Sequence, residues 1–92
     1  MTDILRQKLE PTGDAVESRV GDETVLLHLK RGTYYGLDPL GTRIWSFLKE
    51  GKEPQEICQL VAAEFEVEHE TVADDVRRFL SDLKANDIVV EL

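Results

Sequence analysis

The sequence predicts an α+β fold, a three-stranded antiparallel sheet followed by three helices, and three observations carry that prediction. Residues 15–37 hold short alternating or β-branched runs separated by glycine-containing turns. Residues 39–85 hold apolar positions at helical spacing, and two of the helical stretches open on a proline. Nothing in the 92 residues repeats or is of low complexity, so the order βββααα describes one domain with a single core.

The elements follow in chain order. Residues 1–14 mix single apolar residues with charges and end in Pro11-Thr12-Gly13-Asp14, a cluster of turn formers. They read as a mobile N-terminal arm or a loosely packed cap, which leaves residues 15–92 as the folded domain. "AVESRV" and "TVLLHLK" flank Gly21-Asp22-Glu23, a connection short enough for a hairpin. Period 2 places Val25, Leu27 and Leu29 on one face of the second strand and Leu26, His28 and Lys30 on the other. Arg31-Gly32 then turns the chain into the third strand, "TYYGL", at residues 33–37.

Helix begins at Asp38-Pro39, where aspartate is a good N-cap and proline a good first residue. Leu40, Ile44, Phe47 and Leu48 fall at i, i+4, i+7 and i+8, and Gly51 stops the segment. Pro54 opens a second helix with Ile57, Leu60, Val61 and Phe65 on one stripe. A third starts near His69 and runs through Val72, Val76, Phe79, Leu80 and Leu83 to about residues 85–87. The closing "IVVEL" is a short strand or a packed extension.

Charge and composition then remove function classes. Nineteen acidic against eleven basic residues give a net charge of −8, which repels nucleic acid and anionic lipid and favours a basic partner. The third helix carries Glu70, Asp74, Asp75 and Asp82 against Arg77, Arg78 and Lys84, without the basic face that phosphate contacts need. No run approaches the roughly 20 apolar residues of a membrane span, and the start lacks a signal-peptide core. Cys58 is the only cysteine, which excludes an internal disulfide and fits a reducing, cytoplasmic setting. Its place beside the stripe of the second helix, like that of Trp45 beside Ile44, is that of a core residue. His28 and His69 lie far apart with no supporting ligand spacing, so no metal is expected. A phosphate loop, a nucleophile elbow and an oriented Cys-His pair are all missing, so the reading is a non-enzyme without cofactor.

The third strand raises a different prospect. In a meander it is an edge, and "TYYGL" has neither the charge nor the proline that usually protects one. A peptide from another chain can add there as a further strand, its main chain supplying affinity and alternate side chains supplying specificity. A homodimer through the same edge is the other use. If a peptide adds, proline at Tyr35 should abolish binding, while Leu26→Ala, assigned to the opposite sheet face, should not.

"RGTYYGLDPLGTRIWSFL" resembles the G-x-Y-Y-x-L-N-x-x-G-x-x-I-W-x-x-L stretch of PqqD-like proteins, also called RiPP recognition elements, which bind leader peptides of ribosomally made natural products. "EPQEICQLVAAEFEV" and "ETVADDVRRFLSDLKANDIV" are similar to the family's second and third helices, so the likeness covers about residues 15–90. Asp38 stands where asparagine is more usual, a change that keeps the capping chemistry.

The resemblance implies a winged helix-turn-helix-like fold whose leader lies as an added antiparallel strand between the third strand and the third helix. Carried onto this chain, the peptide-binding residues are Thr33, Tyr34, Tyr35, Gly36 and Leu37 of the strand and Asp75, Val76, Phe79, Leu80, Asp82 and Leu83 of the helix. Leu37 belongs to the core, Tyr35 to the groove wall and Tyr34 to its flank, and several helix residues must also serve the core. Asp75 and Asp82, seven residues apart, share a helical face suited to basic leader side chains. The chain looks most like the stand-alone leader-binding B proteins of split lasso-peptide systems, whose partner is a papain- or transglutaminase-like leader peptidase. The alternatives are a PqqD-type peptide chaperone for a radical-SAM maturase, a winged-helix DNA-binding regulator, and an acidic scaffold with no affinity for short peptides.

Overall fold

The computed structural model describes residues 3–21 and 23–92. A 3-10 turn (Ile4–Arg6) leads into β1 (Leu9–Pro11), β2 (Ala15–Val20), β3 (Glu23–His28) and β4 (Thr33–Leu37). Three helices follow, α1 (Pro39–Lys49), α2 (Pro54–Phe65) and α3 (His69–Ala85), and β5 (Val89–Glu91) closes the chain. β2, β3 and β4 form an antiparallel sheet in that order, while β1 pairs with β5 in a separate two-stranded ribbon. This is the predicted α+β architecture, a meander and three helices compatible with a winged helix-turn-helix description. Asp22, in the β2–β3 connection, and residues 1–2 lie outside the described residues.

Local chemistry explains the helix boundaries. Asp38 Oδ1 accepts the Gly41 N–H at 2.6 Å, satisfying one of the orphan donors of the first turn, and Pro39 follows at the first helical position. Gly51 takes φ +87°, a conformation that turns the chain after α1 and strains other residues. Glu66 ends α2 in the left-handed region, so Phe65, read as part of the buried stripe, lies at the helix end and stays 42% exposed.

Helix and sheet meet over Leu26 and Leu37, which pack with Ile44, Leu48, Ile57, Val61, Val76, Leu80 and Leu83 in one core. Trp45 and Cys58 are buried in it as the sequence suggests. The indole N–H donates to Glu17 Oε1 at 2.8 Å, and Lys49 reaches the same oxygen at 2.6 Å. The Lys49 ammonium, ahead of the indole bond, holds the Glu17 carboxyl below its ordinary range despite an opposing effect of burial.

Two readings need correction. Leu26 stands opposite Tyr35 in the β3–β4 register, and directly opposed residues share a face, so the two lie on the same side of the sheet. Leu26 is fully buried, and Leu26→Ala should lower unfolding stability by about 2–5 kcal/mol in a urea titration followed by Trp45 fluorescence. It cannot serve as a neutral control. The second correction concerns residues 3–14, which are neither an arm nor a loose cap. Leu5 and Leu9 are 5% and 6% exposed in the main core, and Asp3 is clasped by Arg77 through Nε and a second nitrogen at 3.0 Å. "IVVEL" is the partner strand of this segment, with Leu9 opposite Glu91 and Pro11 opposite Val89.

Candidate functional site

β4 is an outer strand of its sheet, with β3 on one side and no strand of the chain on the other among the described residues. Its register with β3 turns Thr33, Tyr35 and Leu37 toward the helices and Tyr34 and Gly36 away from them. Leu37 is buried, Tyr35 half-buried, and Tyr34 77% exposed. Beside this edge a hollow of about 270 Å³ opens between β4, the first turns of α1, and α3.

Three walls define it. Tyr35 supplies the strand side, and its ring meets Phe79 of α3 edge-to-face at a centroid distance of 6.1 Å. Leu40, Gly41 and Ile44 supply the α1 side, and Asp75, Arg78, Phe79 and Asp82 the α3 side. Asp38, the N-cap of α1, adds a carboxylate at the rim. The Tyr35 hydroxyl donates to Asp82 Oδ2 at 3.3 Å, bridging strand and helix across the groove. Burial, reinforced by the Asp82 charge, raises the Tyr35 hydroxyl above its usual pKa, so it remains a donor at neutral pH.

α3 carries two stripes with different work. Residues 75, 79 and 82 face the hollow at i, i+4 and i+7, while Val72, Val76, Leu80 and Leu83 are buried. Of the residues assigned from sequence, Tyr35, Asp75, Phe79 and Asp82 come together at the groove. Val76, Leu80 and Leu83 have 0% exposure and belong to the core, where a surface peptide has no access to them. Tyr34 and Gly36 are on the far face of β4, though their backbone still forms its edge. Asp38, Leu40, Gly41, Ile44 and Arg78 went unassigned, and the signal for the first was present: a strand that runs straight into a helix places the N-cap at the strand's end.

Three carboxylates against the one guanidinium of Arg78 leave the groove acidic, with an aromatic and aliphatic floor. Such a site offers hydrogen-bonding backbone, apolar volume and attraction for cations. A larger hollow of about 460 Å³ lies between the N-terminal segment, α2 and α3. Of its two arginines, Arg77 is already engaged with Asp3 and Asp74.

The away-facing side of the sheet is apolar as well. Val16, Val20 and Tyr34 are 41%, 62% and 77% exposed there, beside the partly covered Val25 and Leu27.

The family model described as coenzyme PQQ synthesis protein D, PqqD, matches residues 23–89. The chain belongs to the PqqD family. Two solved structures align with this PqqD-family chain. One, TbiB1 in complex with the TbiA(beta) leader peptide, is 45% identical with a TM-score of 0.81, over 87% of this chain and 93% of that one. The other, a lasso peptide synthetase B1 complexed with the leader peptide, is 23% identical with a TM-score of 0.82, over 90% and 98%. At that identity the second shows the shared fold alone. No curated protein matches the chain.

Proposed function

We propose that this PqqD-family chain captures the leader segment of a ribosomally made precursor, of the lasso-peptide kind, and presents it to a maturation enzyme. The observation that carries the proposal is the unpaired β4 edge beside the Tyr35–Phe79 groove, in a chain 45% identical to a protein solved with a leader peptide. The leader adds antiparallel to β4, Tyr35 and Phe79 hold its inward side chains, and Asp38, Asp75 and Asp82 attract its basic ones. The role is non-catalytic and needs no cofactor, and a free buried thiol at Cys58 suits a cytoplasmic setting. A PqqD-type chaperone for a radical-SAM maturase is the second reading, favoured by the family model itself.

Titration of the protein with fluorescein-labelled TbiA(beta) leader, and with the leader encoded beside this chain, tests the proposal by anisotropy. Saturable binding of either leader and none of a duplex DNA is expected. Association should slow as salt rises, because the attraction is screened over about 10 Å at 0.1 M. Binding of the DNA and of neither leader would return the chain to the regulators, and concentration-dependent self-association blocked by leader would assign the edge to a homodimer.

The enzyme, a papain- or transglutaminase-like leader peptidase, meets the module on the away-facing sheet side in this proposal. A strand added to β4 extends that same apolar surface, so bound leader and sheet form one continuous face. Val20→Glu, on an exposed site, should leave leader affinity within twofold and slow leader cleavage by the co-encoded peptidase about tenfold, the effect of ~1.4 kcal/mol. Unchanged cleavage would move the enzyme's contact elsewhere.

A further inference from the structure

Gly41 is the one glycine of this chain that lies inside a helix, and the one at which a side chain would crowd a neighbour among the described residues. Around the other five glycines an added Cβ meets none of the described residues within 4 Å. At Gly41 it would stand 3.1 Å from Phe79 Cε1 and 3.1 Å from Asp38 Oδ1. Glycine inside a helix is less favourable than alanine, and no left-handed φ requires it here, so space is the reason for it.

The two neighbours are not equally able to give way. Asp38 Oδ1 is fixed by the N–H of Gly41 itself, at 2.6 Å, and moving it undoes the cap of α1. Phe79 borders the open groove on its other side, where the Tyr35 ring meets it edge-to-face. A methyl at position 41 therefore shifts the Phe79 ring by a few tenths of an ångström toward the hollow of about 270 Å³, and a larger side chain shifts it further.

We infer that Gly41 is a specificity-determining positioning residue: by lacking a side chain it lets Phe79 sit back against α1, and the depth so created admits a bulky apolar side chain of the bound peptide. The inference rests on the leader-binding reading. Gly41 acts through Phe79, and it sets which side-chain size the groove accepts without changing the free edge of β4.

A cycle of protein and peptide variants tests it. Gly41→Ala, Gly41→Val, Phe79→Leu and the double variant Gly41→Ala/Phe79→Leu are titrated with fluorescein-labelled TbiA(beta) leader and the co-encoded leader. Each leader is also made with every apolar residue in turn replaced by alanine. Gly41→Ala should weaken the intact leader about tenfold, the effect of ~1.4 kcal/mol of crowding, with a larger loss for Gly41→Val. The loss should vanish against one alanine-substituted leader, and Gly41→Ala should cost little further affinity in the Phe79→Leu background. The thermal midpoint of Gly41→Ala should stay close to that of the parent, the gain in helix propensity offsetting the crowding at Asp38 and Phe79.

Unchanged affinity, an equal loss against every peptide, or a loss that follows a lowered midpoint each overturns the inference and leaves leader binding intact. Failure of the parent protein to bind either leader overturns both. Should Gly41→Val not fold, the alanine variant and its coupling to Phe79→Leu decide alone.

Discussion

Phe79→Ala is expected to weaken leader binding about a hundredfold, equivalent to ~2.8 kcal/mol, while the chain stays folded. The half-buried ring is the central surface of the groove, in contact with Tyr35 on one side and pressed against Gly41 on the other. A large aromatic at the middle of an apolar site is where binding energy concentrates. Its removal should cost less stability than the 3–5 kcal/mol typical of a fully buried phenylalanine, because residues 76, 80 and 83 carry the core side of α3. Leu80→Ala supplies the contrast. It should cost about 2–5 kcal/mol of stability and leave the affinity of the folded protein unchanged. Anisotropy titration and urea unfolding, read from Trp45 as the only tryptophan, measure the two quantities separately. An affinity of Phe79→Ala within threefold of the parent would remove the ring from the site.

That contrast also marks what the sequence could convey. Helical periodicity groups Val72, Val76, Leu80 and Leu83 with Phe79, and successive residues stand only about 100° apart, so the pattern alone does not divide core from groove. The strand posed a sharper problem. Alternation separates Val25 and Leu27 from Leu26 and His28, and the first set is the more apolar, yet the second set faces the helices. Thr24 and His28 are buried beside Leu26, so polarity pointed the wrong way. His28 is accommodated because its Nδ1 accepts the Arg31 N–H at 3.2 Å, whereas the Thr24 hydroxyl has no partner among the described residues. Capping signals are local, and they placed α1 correctly. The meaning of Gly41 is not local: it depends on a ring 38 residues further along, which only the packing of α3 on α1 brings near.

Deletion of residues 1–11 should produce the largest loss of stability of any change considered. The segment looks dispensable in sequence because charges at Asp3, Arg6, Lys8 and Glu10 interrupt it, and a three-residue strand is too short to show a period. Its partner is at the opposite end of the chain, where no local pattern can point to it. Burying Leu5 and Leu9 contributes about 3–6 kcal/mol, at ~1.5–3 kcal/mol for each side chain. Domains of this kind hold roughly 5–15 kcal/mol in total. The deletion also strips β5 of its only strand partner among the described residues, and leaves Val89 with an uncovered flank. Arg77 loses the hydrogen bond to Asp3, the chief cause of its raised pKa and, from the other side, of an Asp3 carboxyl held below its ordinary range. Circular dichroism with thermal melting is the measurement: the shortened chain should melt far below the parent or not fold, and leader affinity should fall with it because α3 forms one wall of the groove. Restoring Leu5 and Leu9 in a neutral segment, with Asp3 replaced by asparagine, should recover most of the midpoint, since exposed ion pairs contribute little beside two buried leucines. A shortened chain that melts with the parent would show that α2 and α3 close the core unaided, and would return the segment to the status of an appendage.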